Sequence, residues 1–327
     1  MRKARIIGEI KLGNKKYSVG KRINPDSSAT YIFQNKKGDT QMTVYHLFTG
    51  IKLTHHAVHS NSSYLGAVKK GNVIEIHHCR EGRIERQIDD GYFYLTPGDL
   101  AIDIVKENEK EFTFPLNHYH GITISINLDL APKCFSCFLK DLDIKPQKIA
   151  ERLCKNKNCF ILRSKEYIEH IFSEMYNVPC FNKKDYYKIK ILELLLILNS
   201  IDSNENSLNI HTLSNTQVEL AKRVAKYISK HINSHITISH LSSKFHISAT
   251  HLQNAFKGVY GVTIFSYIRI NKMNFAALEL TKTNKSVMEI ACNYGYNNAS
   301  KFASAFREVM GETPLEYRKS HRIANTL

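Results

Sequence analysis

Three sets of residues in this 327-residue chain have types and spacings on which chemistry can be built. The first is sulfur. Cys134-x2-Cys137 is followed, after sixteen residues, by Cys154-x4-Cys159, which approaches the spacing of a four-thiolate zinc site. The second is imidazole, at His55, His56, His59, His77, His78, His118 and His120. Strand alternation puts His118 and His120 on one face. The third set carries no reactive group: Thr250, His251, Gln253, Asn254 and Lys257, and further on Asn298, Ser300, Lys301, Ser304 and Arg307. These are hydrogen-bonding side chains of modest length beside cations, suited to base edges and phosphates in a major groove.

The first two sets have ordinary explanations. In "CFSCFLKDL" the cysteines fall in an amphipathic helical pattern, as small apolar residues. "VPCFNK", around Cys180, lacks a histidine to activate its thiol. Seven cysteines, an odd number, argue against a disulfide framework. "HHCRE" lacks an alternating histidine pair, and no histidine stands close behind "TPGDLAI", where a second metal motif would place one, so a catalytic metal is not expected. No P-loop, dinucleotide fingerprint or hydrolase elbow is present, so neither enzyme activity nor a cofactor is expected. A thiolate-zinc or redox sensor at Cys134, Cys137, Cys154 and Cys159 stays open as an alternative, as does a metal-dependent enzyme.

The third set lies in an internal repeat. Leu252, Ala255, Phe256, Val259, Gly261, Thr263 and Tyr267 recur fifty residues on as Phe302, Ala305, Phe306, Val309, Gly311, Thr313 and Tyr317. Upstream, Ile238, Leu241, Ser242 and Phe245 match Val287, Ile290, Ala291 and Tyr294 at an offset of 49, so the second turn is one residue longer. Each copy is a helix, a tight turn at His246-Ile247 or Gly295-Tyr296, and a second helix. Ser286 and Glu289 have capping-box spacing. At 100° per residue, Thr250, Asn254 and Lys257, or Ser300, Ser304 and Arg307, oppose the apolar face, with His251, Gln253 and Lys301 on its flanks. A connecting helix from Ile264 to Thr281 spans about 27 Å. That is comparable with the roughly 34 Å between successive major-groove faces. Thr313-Pro314 starts a final helix.

The rest of the chain must position this repeat. From Lys15 to Asn127, short alternating runs broken at Lys36–Asp39, Glu81-Gly82 and Pro97-Gly98-Asp99 predict many short strands in a small barrel or sandwich. After Leu128 the period becomes helical. Ile168, Ile171, Phe172 and Met175 share one face, and Ile189, Leu192, Leu195 and Leu196 share another, as core or as a dimer seam. Residues 202–215 are polar and without period, an expected linker. Thr216 and Glu219 then have capping-box spacing, which starts a helix at Gln217. The expected domains are residues 1–130, 131–201 and 216–322.

Net charge is +16, and residues 211–327 hold 15 Lys and Arg against 6 Asp and Glu. The positive excess per residue is roughly twice that of the remainder, so a polyanion should dock there. No run approaches a membrane span and the start lacks an apolar signal core, so a cytoplasmic protein is expected.

Residues 217–322 resemble the AraC/XylS family of bacterial transcription regulators. "EIACNYGYNNASKFASAFREVMGETPLEYR" carries the likeness, with Gly311, Pro314, Tyr317 and Arg318 matching directly and Gly295-Tyr296 where Gly-Phe is usual. The resemblance implies double-stranded DNA as partner, with base-reading helices at Ser248–Tyr260 and Asn298–Met310. Thr250, His251, Gln253, Asn254, Asn298, Ser300, Lys301 and Ser304 become base-contact candidates; Lys257, Arg307 and Arg318 become phosphate candidates. Lys272 departs from the family's usual arginine. "EIHHCREGRIE", "YLTPGDLAI" and "FPLNHYHGITISI" resemble the sensor region of family members akin to pyochelin and other siderophore-uptake activators. The likeness implies an α+β chain: a cupin-like β-barrel with appended helices that binds a small-molecule effector, then an all-α domain with two helix-turn-helix units. It also implies activation through RNA polymerase and leaves a homodimer open. No residue is assigned to the effector.

Overall fold

Alternating β-branched and aromatic residues form strands because each second side chain can then face a buried surface. In the computed structural model, the described residues are 5–12, 15–35, 38–65, 72–88, 91–105, 111–132, 144–154, 159–179, 182–202 and 212–321. They divide into two units, Met1–Thr212 and Leu213–Leu327.

The first unit holds strands β1 (Arg5–Leu12), β2 (Lys15–Ile23), β3 (Ala29–Asn35), β4 (Gly38–Phe48), β5 (Ile51–His59), β6 (Ser62–Tyr64), β7 (Val73–Gly82), β8 (Ile84–Ile88), β9 (Gly91–Leu95), β10 (Leu100–Val105), β11 (Glu111–Thr113), β12 (Tyr119–Asn127) and β13 (Cys159–Leu162). It also holds helices α1 (Pro146–Cys154), α2 (Glu166–Tyr176) and α3 (Lys183–Ser200). A nine-stranded sheet runs β1-β2-β3-β4-β5-β12-β7-β10-β13, and a smaller one contains β9-β8-β11-β6. Of the barrel or sandwich expected, the barrel is not closed: the described strands form two sheets. The chain crosses between them at two of the foreseen turns: at Gly82 (φ 84°), from β7 to β8, and at Gly98 (φ 88°), from β9 to β10. The third foreseen turn joins paired strands, since Asn35 lies opposite Gly38.

One face of the large sheet, with Leu53, Ile76, Ile102, Ile122 and Ile124, packs under the helices. Its other face meets the small sheet through Val58, Cys79, Phe93, Leu95, Phe112 and Tyr119. That second interior also buries ionic groups, with Arg86 paired to Asp103 and His77 3.4 Å from both Glu75 and Asp103. Ile168, Ile171, Phe172 and Met175 of α2 are buried as the period predicts.

Three expectations need correction. In α3 the buried stripe is Tyr187, Ile191, Leu194, Leu195 and Leu198, while Ile189 and Leu196 are 63% and 46% exposed. A helix this apolar offers two equally good stripes, and only the neighbouring surface chooses. "CFIL" is a strand, paired with β10, inside a stretch read as helical. Four apolar residues are too few to fix a period. The second unit's first helix begins earlier than expected: Ser214, not Thr216, caps α4 (Asn215–Lys230), in a capping box with Gln217.

The second unit continues with α5 (Ile238–Phe245), α6 (Ala249–Tyr260), α7 (Ile264–Lys282), α8 (Val287–Asn293), α9 (Ala299–Met310) and α10 (Pro314–His321). The repeat is visible in its packing. Phe256 meets Tyr267 edge to face at 5.1 Å and 78°, and Phe306 meets Tyr317 at 5.5 Å and 79°.

Candidate nucleic-acid interface

Both helix-turn-helix units are built from the same local devices. His246 and Gly295 take left-handed backbone angles just after α5 and α8. The next amide then bonds back to the preceding helix, Ile247 N to Ser242 O at 3.1 Å and Tyr296 N to Ala291 O at 2.9 Å. Ser248 caps α6 by accepting from His251 N, and Asn298 caps α9 by accepting from Lys301 N. Two positions separate His246 from Ser248 and three separate Gly295 from Asn298, which locates the extra residue of the second turn.

Each second helix then buries one face and leaves the other to solvent. Leu252, Ala255, Phe256 and Val259 are buried, as are Phe302 and Phe306, while Ala305 and Val309 are half-buried. Thr250, His251, Gln253, Asn254 and Lys257 are exposed on α6, and Ser300, Lys301, Ser304 and Arg307 on α9. Asn298 is exposed too, but its Oδ1 is engaged at 3.0 Å in capping α9. The connecting α7 has 19 residues, about 28 Å of helix. Arg269 of α7 holds Glu308 of α9 in a two-pronged ion pair, 3.0 and 2.5 Å.

Two cations serve the scaffold. Arg318, expected to meet phosphate, donates from Nε to Leu280 O (3.2 Å) and from Nη2 to Lys285 O (2.6 Å), so it ties α10 to the end of α7 and the loop beyond. Lys272 Nζ donates to Tyr294 O at 2.9 Å, at the end of α8, and burial lowers its pKa. Neither partner was visible in sequence, because both are main-chain carbonyls distant along the chain.

The sulfur set does not assemble among the described residues. Cys154 packs in the core under the helices and Cys159 against the opposite core. Burial pushes the Cys154 thiol up to about 12 and the Cys159 thiol well above its ordinary value, so neither is a ready thiolate. Cys134 and Cys137 lie outside the described residues. In the first unit, a cleft of about 350 Å³ is lined by His78, Arg80, Glu169, Tyr176 and neighbours. His78 stacks on Phe172 at 4.0 Å and hydrogen-bonds Tyr176 Oη (3.1 Å) and Glu169 Oε1 (3.2 Å). His118 and His120 do share a side, and the fold adds His59 and Glu81 to them, two partners that sequence spacing missed because they come from other strands.

A family model described as a helix-turn-helix domain matches residues 241–320, from within α5 to within α10. The probable transcription factor PqrA of Proteus vulgaris is 30% identical over 91 residues, 28% of this chain and 75% of its own. This chain belongs to the AraC family of transcription regulators. An AraC-family chain of this kind is a DNA-binding transcription regulator. Over a longer span, the uncharacterised HTH-type transcriptional regulator YdiP of Escherichia coli K12 is 24% identical across 273 residues, 82% of each chain. The right origin-binding protein of the same strain is 32% identical over 85 residues; this chain covers 29% of its length. A solved structure of a probable AraC family transcriptional regulator from Rhodopseudomonas palustris is 25% identical, covering 32% of this chain and 98% of its own, with a TM-score of 0.30. No helix among the described residues is long and apolar enough to cross a membrane.

Proposed function

We propose that this AraC-family regulator reads two successive major grooves of B-DNA, with α6 in one and α9 in the next. The observation that carries the reading is the duplicated exposed face: Thr250, Asn254 and Lys257 recur as Ser300, Ser304 and Arg307 on two capped helices joined by α7. Thr250, His251, Gln253, Asn254, Ser300, Lys301 and Ser304 address base edges, helped by the Nδ2 group of Asn298. Lys257 and Arg307 neutralise phosphate.

The first unit is the effector-responsive half in this reading, and its cleft at His78, Arg80 and Tyr176 is the place for a small organic molecule. Binding there shifts the regulator's populations by its differential affinity for the two states. Activation through RNA polymerase, a second copy of the chain as partner, and kinship with siderophore-uptake regulators belong to the same reading. They are supported by the resemblance of "EIHHCREGRIE" and "FPLNHYHGITISI".

The test is a site selected from random DNA. Asn254→Ala and Ser304→Ala should each relax preference at their own base positions, by about 1–3 kcal/mol per lost contact. Lys257→Ala and Arg307→Ala should weaken every sequence alike and lower the salt slope by about one each. Intact sequence-specific binding in all four variants would refute the assignment.

A further inference from the structure

The DNA reading leaves one side-chain cluster unused, at the end of the large sheet in the first unit. One ring nitrogen from each of His59, His118 and His120 lies within 4.8 Å of the other two. Strand register brings them there. Val58 of β5 pairs with Tyr119 of β12, which sets His59 opposite His118, one residue beyond. On the other side, His120 pairs with Glu81 of β7 and Gly121 with Cys79. β7 thus carries one extra residue, Arg80, at this point. Such a bulge re-aims the side chains next to it. Glu81 is thereby turned toward the histidines: His118 Nε2 and His120 Nδ1 approach the same carboxylate oxygen, Oε2, at 3.3 and 3.4 Å.

We propose that His59, His118, His120 and Glu81 bind one divalent first-row transition-metal ion, of which zinc is the type. Three imidazoles and a carboxylate suit that class, whereas magnesium and calcium take oxygen ligands. A tetrahedral zinc with bonds of 2.0–2.1 Å holds its ligand nitrogens about 3.3 Å apart. The present spacing closes to that value by rotamer changes, because the three side chains are 52%, 39% and 33% exposed and can move.

Three further observations fit a built site. Asp39 Oδ2 lies 3.6 Å from His59 Nδ1, where a carboxylate orients a ligating imidazole and leaves its other nitrogen for the ion. The second nitrogen of His120, Nε2, is buried without a hydrogen-bond partner among the described residues. Glycines clear the backbone beside two of the histidines: a Cβ at Gly38 would lie 1.9 Å from His59 O, and one at Gly82 would lie 2.1 Å from His118 O.

Cobalt(II), which reports its ligands optically, is the probe for the full-length, chelator-stripped chain. One ion per chain should bind with visible d–d absorption and without thiolate charge-transfer absorption. His118→Ala and His120→Ala should abolish that signal, and Asp39→Asn should weaken binding roughly 10- to 100-fold. Far-ultraviolet circular dichroism identical to the parent's keeps these losses interpretable, and the conservative Glu81→Gln provides a second ligand variant. Three results would overturn the proposal: no binding, a thiolate charge-transfer band, or one-ion binding that survives His118→Ala. Sequence-specific DNA binding is a separate measurement, so either result leaves the groove reading to its own test.

Discussion

His246 and Gly295 hold the same left-handed backbone conformation, φ 55° and 80°, at the same point of the two helix-turn-helix units. Only one of them is a residue to which that conformation comes free. Gly295→Ala should therefore cost about 1–2 kcal/mol, with the new Cβ also 3.4 Å from Lys272 Nζ. His246→Gly should stay within about 1 kcal/mol of the parent, since relieved strain offsets added unfolded-state entropy. Urea denaturation of the two variants measures the difference; equal losses at both positions would contradict it.

Arg318 distinguishes a structural cation from a phosphate-binding one. Its guanidinium satisfies carbonyls of Leu280 and Lys285. Arg318→Ala should lower stability by about 1–3 kcal/mol. The salt slope of DNA binding should stay that of the parent, unlike in the Lys257 and Arg307 variants. A slope reduced by one with stability unchanged would return Arg318 to the phosphate contacts.

His55 sets a pH dependence in the first unit. It sits among Tyr45, Tyr176 and Tyr187, bonded to Tyr187 Oη at 3.0 Å. Burial, with Lys183 and Arg80 adding repulsion, lowers its pKa from 6.5 to about 4. Above pH 6.5 the ring is neutral in both folded and unfolded chains. Between pH 6.5 and about 4 the unfolded chain takes up a proton that the folded one refuses, so stability falls with falling pH, by up to about 3 kcal/mol. His55→Gln, which keeps a partner for Tyr187, should flatten this part of the profile in denaturant titrations. An unchanged slope would show that His55 does not titrate this way.

The DNA-reading half was legible in the sequence because its signals are local. A capping residue, a left-handed turn position and a helical apolar stripe all fall within a few residues of one another, and the repeat shows each one twice. Ser286 with Glu289, and Thr313 before Pro314, are cases where spacing alone located a helix start. The first unit was legible as strands and turns but not as sheets. The chain crosses from one sheet to the other at Gly82 and Gly98, and nothing local separates such a crossing from a hairpin. The histidine cluster was hidden for the same reason: His59 and Glu81 reach His118 and His120 only through strand register. The partners of Arg318 and Lys272 were not legible because a main-chain carbonyl leaves no mark in the residue types.

The central claim is that one chain places α6 and α9 in successive major grooves. Methylation interference on the selected site, with full-length protein, tests it most directly. The account predicts two interfering clusters in the major groove, about one helical turn or 10 base pairs apart, with Asn254→Ala weakening interference at its own base position in one and Ser304→Ala in the other. A single cluster, or two variants that erase the same bases, would contradict it.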